Sequence, residues 1–272
     1  MKEKYISFSE AKMWNECPYR HKLVYIDKIP YFNDTLFTAF GSACHETLEQ
    51  LLLLKKNNDN TEFDSVLHFK KCFYNEMIKL KVQTNDPKIL DRELAKSMID
   101  AGTRIVALVL PELIKEFKDF EVVACEYRIY SKIEDFIIPN GDNFYFKGYV
   151  DLIIKSNNIY YVIDYKTCSW GWDQKKKSDK LMGYQLALYK HFISKELDVP
   201  VEQIETYFVL LKRTAKNNLI EPLRITSGKK KIENSLNMIK VAIYNIIKND
   251  SLVFKNRQSC GTCIFKNTMH CK

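Results

Sequence analysis

The stretch from Gly148 to Lys166, Gly-Tyr-Val-Asp-Leu-Ile-Ile-Lys-Ser-Asn-Asn-Ile-Tyr-Tyr-Val-Ile-Asp-Tyr-Lys, constrains this chain more than any other. Two runs rich in Val, Ile and Tyr flank Asn157-Asn158, and asparagine tolerates the left-handed backbone that a two-residue hairpin turn demands. The pattern predicts a β-hairpin. With that loop length Ser156 pairs with Ile159, and counting outward sets Asp151 opposite Asp164. Directly opposed residues have Cβ atoms about 4.5–5.5 Å apart, where like charges destabilise a sheet. A positive partner is therefore expected between them. Strand alternation places Asp164 and Lys166 on the face of that pair, with Ile163 and Tyr165 on the other. Two carboxylates offer oxygens to a hard divalent cation, and a lysine beside them can polarise a water or steady a developing negative charge. This is the minimal apparatus for metal-assisted phosphodiester hydrolysis. A surface hairpin with solvent-facing acids is the plainer alternative.

Gly148-x-x-Asp151 followed by Ile163-Asp164-Tyr165-Lys166-Thr167 resembles the core of the PD-(D/E)XK nuclease superfamily. The likeness is to its RecB-like exonuclease branch, which includes CRISPR-associated RecB-like exonucleases, AddB-type nuclease domains and mitochondrial genome-maintenance exonucleases. It implies an α/β fold with a restriction-endonuclease-like core: a mixed central sheet, flanking helices, an N-terminal helical insertion and a metal-cluster clasp joining the N- and C-termini.

Further motifs carry the same resemblance. From Ala39 to about Lys56 apolar residues recur at helical spacing, with Gly41, His45 and Glu49 on one face. A glycine one turn before the histidine leaves room for another chain or a metal to approach. Gly41 to Glu49 resembles the family's G-x-x-x-H-x-x-L-E motif, whose histidine ligates the catalytic metal; imidazole suits manganese better than magnesium. Gln185 and Tyr189, one turn apart on a helix expected from Leu181 to about Lys195, resemble the Q-x-x-x-Y motif that positions substrate. Glu126, on a strand expected from Phe120 to Tyr130, matches a strand acid near the family's active site, and Glu49 is a second accessory candidate.

The cysteines form the other informative pattern. Ser7-Phe8-Ser9-Glu10 has capping-box spacing and predicts a short helix ending before Cys17-Pro18. Cys260-Gly-Thr-Cys263 has the spacing that lets two thiolates share one metal or cluster, and Cys271 follows after seven residues. One early and three late cysteines resemble the family's iron-sulfur staple, implying that Cys17, Cys260, Cys263 and Cys271 hold a [4Fe-4S] cluster. The last spacing is longer than is usual there, and His270 offers a rival ligand, so zinc stays open. Cys72 and Cys125 read as core.

The remaining chain reads as helices over Phe63 to Lys81 and Asp91 to Phe117, the second kinked or interrupted by Pro111. These precede the sheet as an insertion that could wall a substrate channel. Asn57 to Thr61 and Gln83 to Pro87 are polar connections. Asn140-Gly141 signals a hairpin turn, with the next strand starting near Phe144. Strands are expected at Glu205 to Leu211 and Leu219 to Thr226, then an amphipathic helix from Lys229 to Lys248. After Lys166, Trp170 and Trp172 stand beside Lys175-Lys176-Lys177. Tryptophan stacks on unpaired bases for about 1–3 kcal/mol each, and lysines attract phosphates whatever the sequence.

These readings give one nuclease domain over 272 residues: a clasp segment (1–36), a helical region (37–118), the nuclease core (119–250) and a cysteine clasp (251–272). With 46% hydrophobic and 28% charged residues the chain is globular. Forty-two Lys and Arg against 34 Asp and Glu suit a polyanionic partner. No apolar run approaches the roughly 18 residues of a membrane span, and no signal-like segment opens the chain. An intracellular, cytoplasmic protein of bacterial, archaeal or viral origin is expected, with no membrane partner. The resemblance implies an Mn2+- or Mg2+-dependent exonuclease acting on single-stranded DNA ends, with a helicase, recombination or CRISPR-adaptation partner. Its expected ligands are His45, Asp151, Asp164 and the Tyr165 carbonyl, with Lys166 catalytic. A non-catalytic iron-sulfur platform and a structure-specific endonuclease are the alternatives.

Overall fold

The computed structural model describes residues 4–31, 34–59, 61–84, 90–134, 136, 143–248 and 253–271. The chain opens with β1 (Lys4–Ser7), α1 (Phe8–Glu16) and α2 (Pro18–His21), followed by a π-helical turn over Lys22–Ile26. Three long helices come next: α3 (Leu36–Lys56), α4 (Ser65–Thr84) and α5 (Arg92–Phe117). Then follow β2 (Glu121–Lys132), β3 (Phe144–Ser156), β4 (Ile159–Cys168), α6 (Gln174–Lys177), α7 (Lys180–Glu196), β5 (Ile204–Lys212), β6 (Ile220–Arg224) and α8 (Lys229–Lys248). The expected Asn140-Gly141 turn lies outside the described residues, as do Asn60 and most of the Gln83–Pro87 connection.

Local sequence explains most boundaries. Ser7 Oγ caps α1 by accepting from the Glu10 N–H at 3.1 Å. The reciprocal half of the capping box is diverted, because the Glu10 carboxylate meets buried His21 at 3.1 Å. Asp91 caps α5, which runs through Pro111 without interruption. Asn157 and Asn158 have φ of 50° and 62°, the conformation of a type I′ turn, and Ser156 pairs with Ile159.

The six strands form one mixed sheet in the order β1-β3-β4-β5-β6, with β2 on β3. β1 and β4 share one edge of β3, since β2 takes the other from Tyr145 to Lys155. β1 covers Phe144 to Lys147 and β4 covers Leu152 to Ser156. The four residues Gly148 to Asp151 between them lack a strand partner on that edge. The sheet is split there.

Helices cover both faces. Phe40, Phe69, Phe73, Ile105 and Leu113 of α3–α5 pack with Leu152, Ile154, Ile163 and Tyr165 on one side. Phe8 of α1, Leu186 and Phe192 of α7 and Ile239 and Ile243 of α8 pack with Phe146, Val150, Ile153, Val162 and Phe208 on the other. The segment read as an insertion is thus a structural layer of the fold: its apolar stripe faces the sheet. Cys72 lies in that layer's core and Cys125 packs against it, as expected.

Candidate active site

The split in the sheet is where the acidic residues gather. Along β3 the apolar side chains change face across Asp151: Val150 belongs to the α7 side, Leu152 to the α3 side. β2 changes face at the same level, with Cys125 against the α3 side and Tyr127 against the α7 side. Cys125 pairs with Leu152 and Tyr127 with Val150, so Glu126 stands across from Asp151 where the two-stranded ribbon rolls over. Glu126 has φ 45°, a left-handed backbone that only a local irregularity of this kind accommodates.

The roll turns Asp151 towards α3. Its Oδ1 lies 3.4 Å from His45 Nδ1, while its Oδ2 accepts from the main-chain N–H of Tyr165 at 2.6 Å. Ligand atoms of His45, Glu126 and Asp151 all lie within 4.8 Å of one another. A Cβ at Gly41 would stand 3.4 Å from Thr167 Oγ1 of β4, an ordinary contact, so the glycine is not required there by crowding. Tyr165 is buried, and its ring meets that of His45 edge-on at 5.8 Å. Glu49, half-buried one turn along α3, acts on Glu126 through its charge.

Asp164 is held from the α7 side. Its Oδ1 accepts from Gln185 Nε2 at 2.8 Å, and that nitrogen also donates to the Tyr189 hydroxyl at 3.1 Å. Its buried Oδ2 is paired with Lys166 Nζ at 2.5 Å. Lys166 also lies over the Phe208 ring at 5.6 Å. The Asp164–Asp151 opposition follows from the hairpin register, but the paired ladder stops one step short, at Leu152 and Ile163. Asp151 meets His45 and Glu126 directly and Asp164 meets Lys166 and Gln185, while the charges of Asp151, Asp164 and His45 act on one another across the two groups.

The electrostatics match a strained cluster of like charges. Burial pushes Asp164 up to about 6 against the pull of Lys166, and the Asp151 charge adds to the rise. Burial also raises Glu126, helped by Asp151 and Glu49. For His45, burial lowers the pKa, but the Asp151 hydrogen bond and the charges of Asp151 and Asp164 outweigh it and leave it raised. A cation shared by these groups would relieve all three.

The two tryptophans part company. Trp172 is packed into the core against Phe208 at 5.1 Å and covered by Lys176, so stacking on a base is not open to it. Trp170 is 78% exposed. Lys177 is engaged with Glu221 at 2.8 Å. The linear sequence holds no signal for this division, because both tryptophans stand in the same polar run.

At the far end, Cys17, Cys260, Cys263 and Cys271 all line one small cavity with Tyr19, Arg20 and Phe265. Protein contacts already join the termini there. The Glu16 carbonyl accepts from Asn256 Nδ2 at 2.8 Å and Ser259 Oγ at 2.7 Å, and the Tyr19 hydroxyl donates to the His270 carbonyl at 2.9 Å. Arg20 Nε, buried beside the cavity, has no hydrogen-bond partner among the described residues. The four cysteines are free thiols and do not form a ligand group within 4.8 Å of one another.

The chain is similar to known proteins. The chain is 29% identical over 198 residues to an ATP-dependent helicase/deoxyribonuclease subunit of Clostridium perfringens strain SM101, and 28% identical to that of strain ATCC 13124. Each match takes in 68% of this chain but 17% of the relative. The solved structure of a predicted exonuclease from Eubacterium rectale shares the fold, with a TM-score of 0.58 over 98% of this chain and 89% of that one at 12% identity. No helix among the described residues is long and apolar enough to cross a membrane. The PD-(D/E)XK nuclease superfamily pattern matches residues 5–268, and the split sheet carries the acidic pair and its lysine, so the chain belongs to that superfamily.

Proposed function

We propose that this chain is a divalent-metal-dependent deoxyribonuclease that digests DNA from single-stranded ends. The observation that carries the reading is the convergence of His45, Glu126 and Asp151 beside the Asp164–Lys166 pair. The donor set fits a metal: carboxylate oxygens suit Mg2+ and Mn2+, and the imidazole favours Mn2+. Asp151 and His45 would hold the ion with Glu126, and Asp164 and the Tyr165 carbonyl complete the set. When bound, the ion activates water and neutralises charge on the scissile phosphate.

The chain's own groups do the rest. Lys166 places an ammonium beside Asp164, where it orients the attacking water and stabilises the negative charge that builds on the phosphate. Gln185 fixes Asp164 through one oxygen and is fixed in turn by Tyr189. Trp170, exposed four residues past Lys166, offers a stacking face to an unpaired base.

A [4Fe-4S] cluster at the cysteine cavity is supported by the shared lining and by the unpartnered Arg20 Nε, a donor suited to an anionic cluster. Zinc held by Cys17, Cys260, Cys263 and His270 or Cys271 is the alternative occupant. The cluster's role is structural, a clasp between chain ends. The likeness to a helicase/deoxyribonuclease subunit supports a helicase partner, with end processing in recombination or repair as the setting.

The test is digestion of an end-labelled single strand by anaerobically purified protein with Mn2+, beside Asp164→Ala and Lys166→Ala, with a circular strand as control. Digestion of the linear strand by the wild type alone supports the proposal. Cutting of the circle would make it an endonuclease instead. Binding without cutting by all three proteins, under any divalent ion, would leave a binding platform.

A further inference from the structure

A second ligand cluster lies at the junction of α3 and α4. Glu46 follows His45 in the chain, but its side chain points towards α4, where His68 and Cys72 stand one turn apart. Ligand atoms of Glu46, His68 and Cys72 all lie within 4.8 Å of one another. His68 Nδ1 is 3.5 Å from Cys72 Sγ and 3.4 Å from Thr47 Oγ1. Glu76, a further turn along α4, acts on Cys72 through its charge and is paired with Lys79 at 2.6 Å.

The geometry points to a transition-metal site at this α3–α4 junction, with Glu46, His68 and Cys72 as ligands and a borderline divalent ion, Zn2+ above all, as the occupant. Three considerations select that ion. The donor set joins thiolate, imidazole and carboxylate, a mixture that suits zinc and not magnesium or calcium. The three ligands come from two helices, with the His–Cys pair at i and i+4 on one face, so the backbone holds the donors in place. Their exposure is graded: Cys72 is buried, His68 half-buried and Glu46 exposed. The outer ligand can swing aside to admit the ion, and water can complete the shell.

Binding replaces the Cys72 thiol proton, which passes to solvent, with a zinc–sulfur bond. Burial and then Glu46 raise that thiol to about 11, so uptake strengthens with pH. The consequence is mechanical. A metal here pins α3 to α4 and fixes the helix that carries His45.

The test is zinc uptake by the full chain after chelation, read by competition with a chromophoric chelator, for wild type, His68→Gln and Cys72→Ser. Cobalt substitution gives a second readout through the thiolate-to-metal charge-transfer absorption. Taking differences against the wild type removes the contributions of the terminal cysteines and of the catalytic acids. We expect both variants to bind one equivalent less zinc, and Cys72→Ser to lose one thiolate's worth of cobalt absorption. If Cys72→Ser fails to fold, His68→Gln, altered at a half-buried position, decides alone. Equal uptake by the wild type and His68→Gln would overturn the site.

Discussion

The main-chain N–H of Tyr165 donates to Asp151 Oδ2 at 2.6 Å, tying β4 to β3 one step beyond the point where backbone pairing stops. The carboxylate substitutes for the missing rung of the ladder, and the same contact aims Oδ1 at His45. Tyr165 is 2% exposed, so losing this acceptor strands a buried donor. Asp151→Ala should therefore destabilise the metal-free protein by about 1–3 kcal/mol. Asp151→Asn keeps an acceptor oxygen and should cost clearly less, although both lose activity. Urea unfolding in excess chelator measures the difference; equal losses would show that the contact is not structural.

Gly148 has no room for a side chain. A Cβ there would stand 2.9 Å from Tyr189 Cε1 and 3.2 Å from Phe146 Cε1. Gly148→Ala must push the Tyr189 ring away, and Tyr189 steadies the Gln185 amide that holds Asp164. Overpacking of this kind costs about 1–3 kcal/mol, and misplacing a catalytic group by about 1 Å costs on the order of 100-fold in rate. The expected result is a lower melting temperature with a disproportionate fall in kcat. A variant that loses stability but keeps full kcat would sever the proposed chain from Gly148 to Asp164.

The hairpin and the long helices were legible because local rules set them: the Asn157-Asn158 turn and the helical spacing of α3 and α8. β1 was not, since four residues pair in parallel with Phe144 to Lys147, some 140 residues away in the chain, and nothing local marks them. The acidic pair and its lysine were legible from the hairpin register and strand alternation. The roll that brings Glu126 up to His45 and Asp151 was not, because it arises from contacts between strands. Trp170 and Trp172 show the same limit, because packing against Phe208 decides which one is spent in the core.

His191 makes acid stability partly predictable. Burial, and then the Lys195 charge, pull its pKa down to about 4, against an unfolded value near 6.5. A depressed histidine pKa means that the unfolded chain takes up the proton first. The contribution of the neutral imidazole is thus full above about pH 6.5 and is lost as the pH falls towards 4. His191→Gln should flatten that part of the profile. Unfolding free energies at pH 7 and pH 5 check it: the wild type should lose more than the variant between the two, and parallel losses would remove His191 as the cause.

Glu126 sets function against stability at one position. Its φ of 45° costs a residue bearing a Cβ about 1–2 kcal/mol, a cost glycine escapes. Burial and the charges of Asp151 and Glu49 further disfavour its carboxylate in the absence of a cation. Glu126→Gly should then be more stable than Glu126→Ala by about 1 kcal/mol, less than the full strain because glycine is freer in the unfolded chain. Both should bind Mn2+ more weakly than the wild type, since an oxygen ligand is gone from the group with His45 and Asp151. Calorimetric Mn2+ titration beside thermal unfolding separates the two effects. Unchanged Mn2+ affinity in both variants would take Glu126 out of the metal site and leave the bend as a feature of the sheet alone.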